Sequence, residues 1–191
     1  MSPILGIIAS QNYPRITTSY ESIATVTLSS AQATIEFTSI PSTYKHLEIR
    51  YFARGTGDTE TANGGMYIKY NGNFITASHR LFGNGSSASV DASSGGLNNT
   101  NTLVGYIAGT NATASVFGAG VLTILDYADT NKNKTYRNLC GIDNNGSGNV
   151  GIFSGFYNST SAITSILLGK KDGTGNFAQY SSFALYGIKG A

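Results

Sequence analysis

Tryptophan is missing from this sequence, cysteine occurs once, histidine twice, and charged residues make up only 12% of it. Each scarcity excludes something. A single cysteine, Cys140, rules out an internal disulfide framework and a multi-cysteine zinc site. Its apolar setting, NLCGI, reads as a buried, inert thiol. His46 and His79 have no partner at ligand spacing, and HExxH, GxSxG, Walker and post-strand GxGxxG patterns are all missing.

The formal net charge is +2 and no basic stripe runs along the chain, which argues against a nucleic-acid partner. Lys132, Lys134 and Arg137 cluster in DTNKNKTYR beside Asp129 and read as a solvated loop. No apolar run approaches the ~20 residues of a membrane-spanning helix, so no membrane insertion is expected. No basic residue precedes the apolar start, as a secretory signal requires. Residue 2 is serine, which excludes N-myristoylation.

Carboxylates are few. Asp58 with Glu60, and Asp126 with Asp129, are the pairs that glycosidase chemistry would need. Asp126, Asp129 and Asn131, and separately Asp143 to Gly146, offer oxygens of the kind calcium takes, without the full EF-hand pattern. Turn-forming Asp and Asn account for both at lower cost. The expectation is therefore no catalytic residue, no cofactor and no metal.

What the sequence does have is 24 glycines, 12 tyrosines and many Thr, Ile and Val, a composition of strands and turns. KHLEIRYFA alternates, with Leu47, Ile49 and Tyr51 on one face and His46, Glu48 and Arg50 on the other, as a half-buried strand does. YESIATVTL, ATIEF, GMYIKY, NFITA, HRLFG, TLVGYIAG, KTYRNLCGID, VGIFSGFY, AITSILLG and FAQYSSFALYGIKG are further strand candidates. The apolar VLTIL should lie centrally. Asn63-Gly64, Asn71-Gly72, Asn84-Gly85 and Asn145-Gly146 read as turns, and Gly83 to Asn101 as a long polar loop. Many short strands with Gly and Asn turns point to an all-β sandwich or barrel.

The start, MSPILGIIASQNYPR, is apolar where chain ends are usually polar and frayed. Residues 1–15 are read as an extended N-terminal arm, flanked by Pro3 and Pro14, ahead of a single β-domain over 16–191. Pro3, Ile4, Leu5, Ile7 and Ile8 are its assembly contacts, expected to pack on a sister subunit or an underlying structure. Tyr67, Tyr70, Tyr106 and Tyr157 are candidate glycan contacts, since tyrosine rings beside Asn, Asp or Arg stack on sugars; the alternative is that they pack within the sandwich.

Three segments carry a resemblance: SPILGIIASQ with YESIATVTL, then IEFTSIPSTYKHLEIR, then ITSILLGKKDGTGNFAQYSSFALYGIKG. Together they resemble small β-rich structural proteins of tailed bacteriophages, many from marine and cyanobacterial hosts. The closing pattern, ITSI followed by F-x-LYGIK, is similar to the last strands of phage tail-fibre and virion modules. The resemblance covers both ends of the chain, and the middle, Gly55 to Asn111, is where such modules vary. It implies a jelly-roll-like antiparallel β-sandwich without enzymatic activity, located in the virion and often a homotrimer among other virion proteins. It implies a tail-fibre or receptor-binding tip for host attachment, with capsid decoration as the alternative because no fibre shaft is visible. A stand-alone module binding a host-surface glycan is the further alternative.

Overall fold

The computed structural model describes residues 19–57, 63–84, 87–91, 102–171 and 174–190. The arm residues Pro3, Ile4, Leu5, Ile7 and Ile8 lie outside them, as do Asp58 and Glu60.

The strands are β1 (Tyr20–Thr27), β2 (Thr34–Phe37), β3 (His46–Ala53), β4 (Gly55–Thr56), β5 (Asn63–Tyr70), β6 (Asn73–Phe74), β7 (Ala77–Asn84) and β8 (Ser87–Asp91). They continue with β9 (Gly105–Ala108), β10 (Gly118–Leu125), β11 (Lys134–Asp143), β12 (Gly148–Tyr157), β13 (Ile166–Lys170), β14 (Asn176–Phe177) and β15 (Ser182–Ile188). The larger sheet has the order β1-β15-β3-β10-β11-β12-β7-β8, and the smaller the order β2-β13-β5-β6, with β9 also on β5. Every pairing within these two sheets is antiparallel. The chain is an all-β sandwich.

Eight of the strands are shared equally between the two sheets. β1, β15, β3 and β10 are neighbours in one sheet, and β2, β13, β5 and β9 are neighbours facing them. In sequence these eight cross between the sheets at every step except β5 to β9. Two hairpins lie outside that set. β11–β12 follows β10, β7–β8 is inserted between β5 and β9, and together they widen the larger sheet beyond β10.

The core lies between the sheets. Leu47, Ile49 and Tyr51 of β3, Leu122 and Ile124 of β10, and Phe183 and Leu185 of β15 point inward, against Met66 and Ile68 of β5 and Ile166 and Leu168 of β13. Each such side chain contributes about 1.5–3 kcal/mol on burial, before ordering costs.

The inner face of β11 is more polar, and it holds the segment that enters β9. Tyr136 donates to Ser78 Oγ at 2.6 Å, and Ser78 donates on to the Leu103 carbonyl at 2.6 Å. Asn138 Nδ2 donates to the Val104 carbonyl at 2.8 Å and to the Tyr51 hydroxyl at 3.1 Å. The Tyr106 N–H donates to Cys140 Sγ at 3.3 Å. Buried backbone groups need partners; Asn138 and Cys140 supply two of them directly, and Tyr136 holds Ser78, which supplies the third. Cys140 is buried, as the sequence implies, and burial pushes its thiol pKa up.

Several expectations meet a different arrangement. Asn63-Gly64 opens β5 and is not a turn. Asn71-Gly72 and Asn145-Gly146 are turns, with φ of 50° and 80° in the first and 61° and 99° in the second. Part of the expected polar loop, Ser87–Asp91, is an edge strand on β7. VLTIL lies in β10, between β3 and β11, but its Val121 faces outward. Lys134 is not in a solvated loop. Its ammonium is fully buried and donates to the carbonyls of Asp129, Lys132 (2.7 Å) and Thr160 (3.1 Å), and burial lowers its pKa.

Candidate interaction surface

Because β11 and β12 alternate strictly, and β7 pairs with β12 in continuous register, each sends every second side chain to the outer face of the larger sheet. That face should be polar if it met only water. It carries instead a cross-strand row of Val121, Leu139, Ile152 and Leu81, each directly opposite the next. Leu139 is 56% exposed, and Ile152 and Leu81 nearly as much. The neighbouring row runs Phe52, Ala119, Gly141, Val150 and Gly83, with Val150 58% exposed.

The small residues of the second row make a trough. Ala119 and Gly141 form its floor, and Arg50, Val121, Leu139 and Val150 rise around a depression of about 530 Å³. A second hollow of about 300 Å³, lined by Gly83, Asp143, Gly148 and Val150 among others, continues it past Val150. Phe52 closes one end by stacking on Phe117, with ring centroids 4.8 Å apart.

Polar groups rim the apolar rows. On one side lie Glu48, Thr123, Arg137, Ser154 and His79, opposite one another across the strands. Arg50 marks another border, held by Glu48 Oε1 at 2.8 Å and by the rings of Tyr20 and Tyr186. An apolar centre with a polar rim is the anatomy of a protein–protein interface. Contiguous exposed apolar patches of this kind mark binding sites on soluble proteins.

Comparison with protein-family models, curated proteins and solved structures finds no match. The site therefore has to be read from its own geometry.

The four tyrosines singled out for sugar contact are buried in the sandwich, with relative exposures of 7% (Tyr67), 1% (Tyr70), 7% (Tyr106) and 8% (Tyr157). Tyr70 and Tyr157 meet edge to face at 5.6 Å, Tyr106 packs on Phe153 at 5.1 Å, and Tyr67 packs on Phe74 at 5.3 Å. A sugar needs an open ring face, and as packed here these rings present none. Tyr106 also accepts a hydrogen bond from Arg80 Nη1 at 3.0 Å.

The acidic residues have structural uses. Asp129 Oδ1 accepts the Asn131 N–H at 2.8 Å, and Asp143 Oδ1 accepts the Asn145 N–H at 2.9 Å, as Asx turns require. Asp126 pairs with Lys45 at 3.0 Å and Lys132 at 3.4 Å, and the Lys45 hydrogen bond holds its carboxyl below the ordinary range. Asp126 follows the end of β10 that pairs with the start of β11, whereas Asp143 ends β11. About eight residues of strand, ~27 Å, separate them, too far for a catalytic pair. His46 Nδ1 accepts the Asp126 N–H at 3.0 Å. No group of three His, Cys, Asp or Glu among the described residues is placed to hold a metal. No helix among them is long and apolar enough to cross a membrane.

Sequence reasoning missed the outer apolar rows, although a signal was present. In GNVGIFSGFY, Val150, Ile152 and Phe156 alternate with Phe153 and Tyr157, so both faces are apolar and only one can meet the smaller sheet.

Proposed function

We propose that this chain is a non-enzymatic structural protein of a tailed-phage virion, an oligomeric surface module of tail-fibre or receptor-binding-tip type. The observation that carries the reading is the open apolar band of Val121, Leu139, Ile152, Leu81 and Val150 on a charge-poor β-sandwich. Such a band costs solubility on a lone molecule and becomes useful on a part seated among neighbours. The resemblance of both chain ends to phage virion modules supports the same reading. So does the crossing of eight strands between the two sheets, the order that the jelly roll implied by the resemblance would have.

The test is mass spectrometry of purified particles combined with cryo-electron microscopy. The expected result is the chain present at a fixed copy number, with density at the tail tip. Density over the shell instead would assign it to capsid decoration. Its absence from particles in infected cells that produce it would overturn the virion reading.

A further inference from the structure

We infer that the trough on the outer face of the larger sheet receives residues Ile4–Ile8 of a second copy of this chain. The inference rests on the reading of the chain as an oligomeric module and names the partner of that surface.

Four observations lead there. The first is shape. The floor residues Ala119 and Gly141 sit between taller apolar neighbours, leaving a depression of about 530 Å³. A narrow peptide fills such a trough, whereas a second flat sheet laid across it leaves it empty. The second is chemistry. The lining is aliphatic, from Val121, Leu139 and Val150, and the segment ILGII offers four aliphatic side chains and no charge. The third is length. The trough's lining crosses from Arg50 on β3 to Val150 on β12, three inter-strand steps, or ~14 Å, and five extended residues span ~13 Å.

The fourth concerns which copy supplies the segment. The described chain begins at the opposite edge of the sheet, where the Ser19 carbonyl accepts the Lys189 N–H at 3.0 Å. β1 is three strands from β10. Tyr20 lies level with His46 through Ile188, whereas the trough's rows lie level with Arg50 and Phe52. Ser19 thus stands at the far edge of the sheet and toward the opposite end from the trough, and a second copy is the donor that the oligomeric reading requires. A segment of one copy seated in the trough of the next, without reciprocal exchange, is a heterologous contact, and it closes into a ring where the rotation between copies allows. This is the symmetry a trimer needs. Face-to-face pairing of two sheets would give only a dimer.

The experiment uses the full chain. Ile7→Cys and Val150→Cys are produced as separate variants, mixed, and oxidised with oxidised glutathione, and products are read by non-reducing electrophoresis and intact mass. Native Cys140 is buried and serves as the internal control. A disulfide-linked pair of one Ile7→Cys and one Val150→Cys chain is the expected product. It should fall at least tenfold when Leu139→Lys is added to the Val150→Cys chain, and be missing when Thr25→Cys replaces Val150→Cys. Leu139 is exposed, so its replacement leaves the fold intact, as an unchanged melting temperature would show.

Two results overturn the inference: no linked pair, or, in a third variant that carries both cysteines, a link that forms only within the single chain while the mixed single variants stay unlinked. The virion reading fails separately. A linked pair from a chain missing from particles would sink that reading alone, and a chain present in particles without the link would sink only the trough assignment.

Discussion

Gly120 lies directly opposite Tyr51 across the β10–β3 pairing, and the tyrosine ring covers it so closely that a Cβ there would stand 2.3 Å from the ring. The missing side chain lets Tyr51 lie flat under β10 and reach the β9 backbone, where its hydroxyl donates to the Tyr106 carbonyl at 3.2 Å. Gly120→Ala should therefore destabilise the fold by about 1–3 kcal/mol, the cost of overpacking a filled core. Urea denaturation of the two proteins measures it, and an unchanged midpoint would contradict the packing described.

Arg54 should govern the order of the 110–116 connection. Its guanidinium donates to four carbonyls: Thr113 (2.8 Å), Val116 (2.9 Å), Ala112 (3.0 Å) and Thr110 (3.1 Å). Arg54→Ala removes all four bonds at once. Amide hydrogen exchange should quicken across residues 110–117 while β3 and β10 stay protected. Arg54→Lys should recover only part of the protection, because an ammonium cannot reproduce the planar fork. Equal protection in all three proteins would remove this role.

Alkaline stability should be governed by buried tyrosines. Tyr51, Tyr70 and Tyr136 have pKa values raised, chiefly by burial, above the ordinary 10.0. The unfolded chain releases these protons near pH 10, and the folded chain keeps them. The stabilisation is therefore complete below pH 10 and declines as pH rises beyond it. Lys134 acts in the opposite sense, since its lowered pKa makes the unfolded chain the better proton binder just below the ordinary lysine value. Burial also raises Tyr67 and Tyr127, so the tyrosines outweigh the one lysine and leave a net loss. Absorbance at 295 nm should show a late group of tyrosines that ionise together with unfolding. Ionisation of all twelve near pH 10 in folded protein would refute this.

The single thiol should resist modification in the native state. Cys140 is 3% exposed, and its sulfur accepts the Tyr106 N–H and donates to the Gly151 carbonyl at 3.6 Å. An aromatic disulfide reagent should release no colour from folded protein over minutes and one equivalent once denaturant is added. Rapid reaction without denaturant would show that β11 opens far more readily than its pairing implies.

Much of the architecture was legible because strand alternation and turn chemistry are local. Lys134–Asp143 was read at its observed limits, and Asn71-Gly72 adopts the left-handed turn its residue types favour. The failures came where a residue type has two uses. Gly64 resembles a turn glycine, but a Cβ there would meet the Lys170 ammonium at 3.0 Å, so close approach explains it. Lys134 sits among Asn, Thr and Asp that look solvated, and only the fold shows three carbonyls converging on it. The tyrosines suited to a sugar suit a sandwich interior equally well. The outer apolar rows were hidden because periodicity shows that a strand has two faces, not which neighbour each face meets.

The two hairpins that carry most of the apolar band stand outside the eight strands that alternate between the sheets. Each departs from one of those strands and returns to the next in sequence, β10 to β13 for one and β5 to β9 for the other. Their inner faces hold β9 in place, through Ser78 on one and Asn138 and Cys140 on the other. Such a layout can change its contact surface by changing only the outward-facing residues of the hairpins, while the inward-facing ones keep the fold as it is.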